Sequence, residues 1–207
     1  MKLHSLVLSG LCAVAAAVIA QEPNTAPDAL IRNVANEVLL ILRNDEDIQA
    51  GDSKKASELI EAKVRQHFNF VHMARLGLGR DWKTATAAQR KQFTDEFYKL
   101  LLRTYSSALT EYRDQEIKFR PFTMKPGESR VKVRTFVAQS GNSPISINYY
   151  LEKLPAGWKV YDIEVAGISL VINYRSSFAA EVERGGIEGL IKALREKNGS
   201  NTNADAQ

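Results

Sequence analysis

The sequence has little cysteine, little histidine and no apolar run long enough to cross a bilayer. Its 207 residues include one cysteine and three histidines. A single cysteine excludes a disulfide-stapled scaffold and a cysteine-rich metal module. The longest apolar run, near the amino terminus, is shorter than the ~20 residues that a membrane-spanning helix needs. The 28 basic and 24 acidic residues are nearly balanced, which gives no argument for nucleic-acid binding.

The sequence does have enough apolar residues for a folded core. Hydrophobic residues make up 44% of the chain and aromatic residues 8%, which excludes a wholly disordered protein. The length fits one domain.

The first twenty residues predict a secretory signal peptide. Lys2 precedes an apolar run at residues 6–19, and Ala20 ends it with a small residue suited to cleavage. Cleavage there removes Lys2 and Cys12, lowers the formal charge of +4 by one and leaves no cysteine. A lipoprotein signal at Cys12 is disfavoured, because the bulky Leu11 precedes it and the apolar run continues beyond it. We therefore expect export to the periplasm.

Residues 27–114 show the periodicity of helices. Apolar residues recur every three or four positions from Leu30 to Leu42, and Pro27 suits the first turn of that helix. A second helix is predicted from Ser53 to Phe68, and a short third one follows as far as Leu76. A capping box at 86–89 begins the clearest helix, at about 87–114.

The second half of the chain alternates as strands do. Residues 131–137, 145–151 and 158–165 alternate apolar and polar side chains, with turns predicted at 140–144 and 155–157. Tyr161, Ile163 and Val165 are predicted on one side, and residues 117–124 are expected to add an edge strand. Helices are predicted at about 169–197 with a break at Gly185 and Gly186, and a disordered tail at 198–207. This order predicts an α+β fold.

Few residues have the pattern of a catalytic or metal site. His67 and His72 fall on different sides of a helix, so we expect no shared metal and a surface or boundary position for both. Ser169 has part of a nucleophile elbow but lacks its final glycine, so a helix cap is favoured. Asp162 and Glu164 lie on one face of a strand, where solvation is favoured over an acid–base pair. The sequence therefore predicts no catalytic and no metal-ligating residues.

Broad apolar faces remain once these patterns are set aside. The helix at about 87–114 has a wide aromatic and aliphatic face, and the predicted sheet has another. By periodicity alone the simplest interpretation is that the two faces close on each other as an ordinary core. A ligand cavity between them is the alternative.

Several stretches of the sequence match the motifs of one protein family. Residues 68–70 and 73–75 resemble its F-D-F and M-A-R motifs, with Asn69 in place of the aspartate. Residues 86–105 resemble its long helix, and residues 157–178 contain its G-W-K-V-Y-D and N-Y-R-S motifs. On these residues the chain resembles the MlaC family, the periplasmic phospholipid-binding proteins of the Mla pathway, also called the toluene-tolerance auxiliary family.

The resemblance implies one lipid-binding domain at 21–197 with its sheet at about 117–166. The implied fold is a curved antiparallel sheet wrapped by helices, with an apolar cavity between them. The implied function is a soluble carrier that moves phospholipid between an outer-membrane lipoprotein–porin complex and an inner-membrane ABC transporter with a hexameric substrate-binding subunit. Such a carrier maintains outer-membrane lipid asymmetry, and is expected to be a monomer with phospholipid as cargo and no cofactor.

The physical task of a lipid carrier is to shield acyl chains from water. Exposure costs about 0.8 kcal/mol per CH₂, or about 25 kcal/mol for two chains of about sixteen carbons. Shielding needs apolar walls and no catalytic group. The side chains predicted to line the cavity are Phe93, Phe97, Leu101, Tyr105, Ile147, Tyr149, Leu151, Tyr161, Ile163, Val165 and Val171.

Two further predictions follow, and two other function classes stay open. Arg75 and Arg175 are candidates for partner contact, with structural ion pairs as the alternative. A periplasmic chaperone or adaptor would use the apolar surface as an open groove for protein segments. A pocket enzyme using Asp162 or Glu164 would show a buried carboxylate with a raised pKa beside a second polar group.

Overall fold

The computed structural model describes residues 25–111, 115–139 and 142–200, which form six α-helices and five strands. The helices are α1 (Pro27–Asn44), α2 (Glu46–Gln49), α3 (Ser53–Leu59), α4 (Phe70–Leu78), α5 (Ala87–Thr110) and α6 (Arg175–Ser200). The strands are β1 (Glu116–Phe119), β2 (Arg130–Gln139), β3 (Asn142–Leu154), β4 (Gly157–Val165) and β5 (Ile168–Ser169). The α+β class is confirmed. The predicted signal at 1–20 and residues 201–207 of the predicted tail lie outside the described residues.

Helix boundaries follow local signals in the sequence. The predicted capping box of α5 is present, with the Gln89 amide donating to Thr86 Oγ1 at 3.2 Å. Gly186, at φ +66°, kinks α6 where the break was predicted. The predicted start of the tail is wrong, because α6 continues to Ser200. Asn198 Nδ2 donates to the Glu96 backbone carbonyl at 3.0 Å and to its carboxylate at 2.9 Å, which anchors this end.

The predicted second helix does not remain regular as far as Phe68. α3 ends at Leu59, and a π turn and a 3₁₀ turn follow. Phe68 is extended and forms a parallel bridge with Val160, and the backbone amide of Asn69 donates to the Val160 carbonyl at 2.8 Å. Phe68 therefore lies at the edge of β4 instead of on a helix face.

The five strands form one antiparallel sheet in the order β1-β2-β3-β4-β5. The predicted edge strand is present as β1 but is shorter than expected, since it ends at Phe119, with the Arg120 backbone amide still donating to the Arg134 carbonyl at 3.0 Å. The predicted turn at 140–144 is also shorter, since Asn142 already pairs with Gln139 and Pro144 lies within β3. Ser140 and Gly141 lie outside the described residues.

A β-bulge interrupts the pairing of β3 with β4. Tyr150 pairs with Asp162, but the next residue, Leu151, pairs with Val160. Tyr161 is therefore an extra residue on β4, and the alternation of side chains changes there. Val160 and Ile163 consequently lie on the same face of the sheet although they are three residues apart.

Three buried clusters hold the elements together. The helical cluster joins α4, α5 and α6 through residues such as Phe97, Phe178 and Leu190. The sheet cluster packs Leu30 and Ile31 of α1 against the sheet. The α1–α3 cluster joins the three amino-terminal helices. Within the described ranges, no helix combines the length and apolar character needed to span a bilayer.

The turn between β4 and β5 contains a strained residue. Val165 pairs with Ile168, so Ala166 and Gly167 form a two-residue turn, with φ of +50° and +85°. Positive φ suits glycine and costs an alanine about 1 kcal/mol. We predict that Ala166→Gly raises the free energy of unfolding by about 0.5–1 kcal/mol, measured by urea denaturation.

Ala156 provides the matched control for that substitution. It lies in the β3–β4 turn, where the residue with positive φ is Gly157. Ala156→Gly relieves no strain and adds freedom to the unfolded chain, so it should leave stability unchanged or lower it. Equal stabilisation by both substitutions would contradict the assignment of strain to Ala166.

Both histidines within the described residues are buried, which corrects the prediction of surface or boundary positions. His67 is 6% and His72 is 7% exposed. His67 ends the 3₁₀ turn before α4, and His72 lies in the first turn of α4, where its ring stacks on Tyr161 of β4, a packing that helix periodicity does not reveal. Among the described residues, no three His, Cys, Asp or Glu side chains are grouped as a metal site requires.

The burial of His67 predicts a pH effect on stability. Burial lowers its pKa below the usual 6.5, and the nearby Lys159 lowers it further. The unfolded chain then binds this proton more readily than the folded protein, so stability falls as pH drops below 6.5. We expect His67→Gln to lose less stability than the wild type between about pH 7 and about pH 5 in urea titrations. Identical pH profiles would contradict this assignment.

Candidate functional site

One side of the sheet is an apolar face built from four cross-strand rows. Strand pairing sets which side chains share a row, and successive rows are two residues apart along each strand. From the α1 end outward the rows are Val131–Leu151–Val160, Val133–Tyr149–Ile163, Phe119–Thr135–Ile147–Val165–Ile168, and Ile117–Val137–Ile145. We call them rows 1 to 4. The third row crosses all five strands, which makes the face continuous.

The apolar face is closed at row 1 and open at row 4. The row 1 side chains are buried beneath Leu30 and Ile31 of α1. All three side chains of row 4 remain half-buried, and Ile168 at the end of row 3 is 58% exposed. Within the described residues, Ile147 and Val165 belong to none of the three buried clusters. Row 4 and the Ile147, Val165 and Ile168 part of row 3 thus offer apolar surface that the fold leaves partly uncovered, whereas Thr135 is buried and Phe119 packs against the sheet cluster.

Two polar side chains of this face, Thr135 and Tyr149, lie close together. Thr135 Oγ1 donates to the Ile147 carbonyl at 2.9 Å, and the Tyr149 phenol lies near the Thr135 side chain. Burial raises the pKa of Tyr149 to about 12, yet part of its side chain remains accessible. The other side chains of the four rows are apolar, so the face suits an apolar ligand.

Comparison with known proteins assigns the family. The family model described as MlaC protein matches residues 32–196. The chain belongs to the MlaC family. A curated relative of this family, the intermembrane phospholipid transport system binding protein MlaC of Haemophilus influenzae, is 25% identical over 181 residues, which cover 83% of this chain and 82% of that protein.

Two further relatives of this MlaC-family chain support the assignment. A toluene tolerance protein of Pseudomonas putida is 31% identical over 104 residues, covering 50% of this chain and 48% of that protein. A solved structure of a phospholipid-binding protein from Ralstonia solanacearum, in complex with a phospholipid, has a TM-score of 0.77 and 34% identity. That match covers 84% of this chain and 97% of the solved chain.

Five of the predicted site residues lie on the apolar face. Tyr149 and Ile163 lie in row 2, and Ile147 and Val165 lie in row 3. Leu151 lies in row 1, where it is buried under α1. That these side chains contact a ligand stays a prediction, but their common placement on one side of the sheet is what that prediction requires.

The predicted site residues on the helices lie elsewhere. Phe93 and Phe97 are 0% and 1% exposed, and the Phe97 ring packs edge-on against Phe178 at 5.2 Å in the helical cluster. Leu101 and Val171 are buried in the same cluster. They hold helices to one another, and their contact with a ligand stays a prediction.

Tyr105 is half-buried at the margin of the helical cluster. Burial, together with the neighbouring Tyr174, raises the pKa of Tyr105. Contact of Tyr105 with a ligand also stays a prediction.

The predicted position of Tyr161 is wrong. The bulge turns its side chain away from Ile163 and Val165, to the polar side of the sheet. There the ring stacks on His72 with centroids 4.4 Å apart and lies 6.3 Å from the Tyr150 ring. Tyr161 therefore helps to attach α4 to the sheet.

The sequence interpretation missed the outer rim of the face. Ile117, Val137 and Ile145 of row 4 and Phe119 of row 3 were not among the predicted site residues. Val137 and Ile145 continue the alternation of β2 and β3, so that pattern contained their signal. The contribution of β1 was harder to find, because four residues give a weak alternation.

A buried polar network attaches α4 to β3. Asn69 Oδ1 accepts the His72 amide at 3.1 Å and caps α4, while Asn69 Nδ2 donates to Glu152 Oε1 at 2.7 Å. His72 Nδ1 lies 2.7 Å from the same carboxylate oxygen. Burial alone would raise the pKa of Glu152, but the hydrogen bonds from His72 and Asn69 outweigh burial and lower it.

Asp162 and Glu164 lie on the polar side of the sheet, away from the apolar face. Burial raises the pKa of Asp162, as the enzyme alternative requires, but its carboxylate accepts Ser169 Oγ at 2.6 Å and the Ile163 amide at 2.8 Å. Tyr150 and Asn148 donate to Glu164 and lower its pKa. Both acids are thus held by structural hydrogen bonds.

Ser169 does not cap α6, which begins only at Arg175. Its Oγ instead accepts the Ile172 amide at 2.9 Å, at the start of the 3₁₀ turn that leads into α6. The same hydroxyl donates to Asp162. The serine therefore ties the end of β5 to β4.

The two arginines proposed for partner contact make internal hydrogen bonds. Arg75 Nη2 lies 3.1 Å from His72 Nε2, and Arg175 donates from Nε and Nη2 to the Leu76 carbonyl at 3.1 and 2.8 Å. Within the described residues neither forms an ion pair, so the alternative of structural ion pairs is wrong, and both side chains contact other groups of the fold instead. Both residues are exposed, and partner contact stays a prediction.

Proposed function

We propose that this MlaC-family chain is a periplasmic carrier that shields the acyl chains of a phospholipid on the apolar face. The observation that carries the proposal is the gradient from the closed row 1 to the open row 4. Acyl chains would lie along rows 2 to 4, and the headgroup would remain outside the open end. The phospholipid-bound Ralstonia solanacearum relative and the name of the Haemophilus influenzae relative support this proposal.

The dimensions of the apolar face suit an acyl chain. Rows two residues apart are separated by about 6.8 Å, so rows 2 to 4, along which the chains would lie, extend over about 14 Å. One leaflet of a bilayer contributes about 15 Å to the hydrocarbon thickness. The face can therefore run alongside a chain of ordinary membrane length.

Carriage of this kind needs no chemical step. Each buried CH₂ contributes about 0.8 kcal/mol, so apolar contact alone supplies the binding energy. Asp162 and Glu164, the acids of the enzyme alternative, are hydrogen bonded on the other side of the sheet. We therefore propose a non-enzymatic protein with phospholipid as cargo and no cofactor.

The cellular role that we propose follows from the family. After removal of residues 1–20, the monomeric carrier would move lipid through the periplasm between an outer-membrane lipoprotein–porin complex and an inner-membrane ABC transporter with a hexameric substrate-binding subunit. This movement would maintain outer-membrane lipid asymmetry. The exposed Arg75 and Arg175 remain candidate contacts with these partners.

A transfer assay tests the carrier proposal. Donor vesicles containing a fluorescent phospholipid and unlabelled acceptor vesicles are separated by a membrane that passes the protein but not the vesicles. We expect the purified mature protein to transfer label in proportion to its concentration. Transfer no faster than in buffer without the protein would contradict the proposal, and binding of apolar peptides instead would favour a chaperone.

A further inference from the structure

Tyr149 occupies the boundary between the closed and open parts of the apolar face. Row 1 beneath it is sealed by α1, and beyond it row 4 is half-buried and Ile168 at the end of row 3 is exposed. Its neighbours in row 2 are Val133, which is buried, and Ile163, which is half-buried. Tyr149 has the largest side chain in rows 1 to 4. A ligand entering from row 4 would therefore meet this ring before the sealed end.

An apolar wall at this position requires the ring of Tyr149 and not its hydroxyl. A phenylalanine would supply the same apolar ring without a hydroxyl to remove from water, which costs free energy unless it is hydrogen bonded. The Tyr149 phenol lies near the Thr135 side chain, whose Oγ1 donates to the Ile147 carbonyl at 2.9 Å. Thr135 lies one row closer to the open end. The tip of the ring therefore leans toward row 3.

We propose that the Tyr149 ring is the floor of the lipid site and limits the length of acyl chain that the site accepts. The inference rests on the proposed function and adds a determinant of its specificity. From row 4 to row 2 is about 13–14 Å, close to the ~15 Å that one leaflet of hydrocarbon occupies. The end of an ordinary membrane chain would therefore reach the ring. Longer chains would have to bend or leave methylenes outside.

The test compares chain-length profiles of three proteins. Phosphatidylglycerols of increasing acyl length compete with a fluorescent phospholipid for the purified protein, and the inhibition constant is plotted against chain length. We expect the wild type to bind one acyl length most tightly and Tyr149→Ala to bind longer chains most tightly. The affinity of the variant should rise about fourfold for each additional CH₂ that the enlarged site covers. Tyr149→Phe keeps the ring and should keep the wild-type optimum.

The outcomes separate this inference from the proposed function. Tyr149→Leu removes the ring but leaves a smaller void, so it serves if Tyr149→Ala does not fold, and should shift the optimum in the same direction. If the folded Ala or Leu variant has the same chain-length profile as the wild type, Tyr149 is not the floor of the site, although the proposal of lipid binding stands. A shift in Tyr149→Phe as large as in the other variants would also overturn it. A wild-type protein that binds no chain length would overturn the proposed function itself.

Discussion

Ile147→Asp is expected to empty the protein of phospholipid while the fold stays intact. Ile147 lies at the centre of row 3, between Thr135 and Val165. A carboxylate there would have to lose its hydration against an acyl chain, at a cost of several kcal/mol. Lipid affinity should fall by at least about a hundredfold. Phospholipid in organic extracts of the purified variant measures the effect, and circular dichroism reports the fold.

Ser146→Asp is the matched control for that variant. Ser146 is the preceding residue of β3, is exposed and points to the opposite side of the sheet, so it receives the same charge at the same level of the strand. We expect it to carry lipid as the wild type does. Lipid retained by a folded Ile147→Asp variant, or lost equally from both variants, would contradict the assignment of row 3 to the acyl chains.

Asn69→Asp should cost about 3 kcal/mol of unfolding free energy at pH 7. The substitution preserves the cap of α4, because aspartate is as good an N-cap as asparagine. It replaces the donor that lies 2.7 Å from Glu152 with a second carboxylate, and two carboxylates at that distance cannot both remain ionised without a large penalty. Urea denaturation measures the loss. The result would explain why asparagine here accompanies Glu152.

The pH dependence and a second substitution make this prediction specific. One carboxyl of the pair that Asn69→Asp creates with Glu152 should have a raised pKa. The folded variant then binds a proton that the unfolded chain does not. Its loss of unfolding free energy relative to the wild type should therefore become smaller from pH 7 to about pH 5. Glu152→Gln in the Asn69→Asp background removes one of the two charges and should restore at least about 1 kcal/mol. A deficit that is independent of pH and unaffected by Glu152→Gln would contradict the network.

Local signals in the sequence predicted much of the fold. The capping box at Thr86 and Gln89, the break at Gly186 and the three main strands are present, because each depends on residues close together in the chain. The same alternation identified Ile147 and Tyr149 as neighbours on one side of β3. These parts need no knowledge of the rest of the molecule.

Long-range features of the site were beyond sequence reasoning. The bulge at Tyr161 depends on how β3 and β4 register, and it reverses the side of the sheet that this ring occupies. The partners His72 and Glu152 are 80 positions apart. Periodicity shows that Phe93 and Phe97 face inward, but it does not show whether they meet other helices or the sheet.

The most direct test of the central claim is phospholipid extraction from freshly purified mature protein. The protein is purified without detergent, extracted with organic solvent and analysed by mass spectrometry beside its Ile147→Asp and Ser146→Asp variants. The carrier account predicts phospholipid in the wild type and in Ser146→Asp, and little or none in Ile147→Asp. A correctly folded wild-type protein without phospholipid, which also fails to take up phospholipid from vesicles, would contradict it.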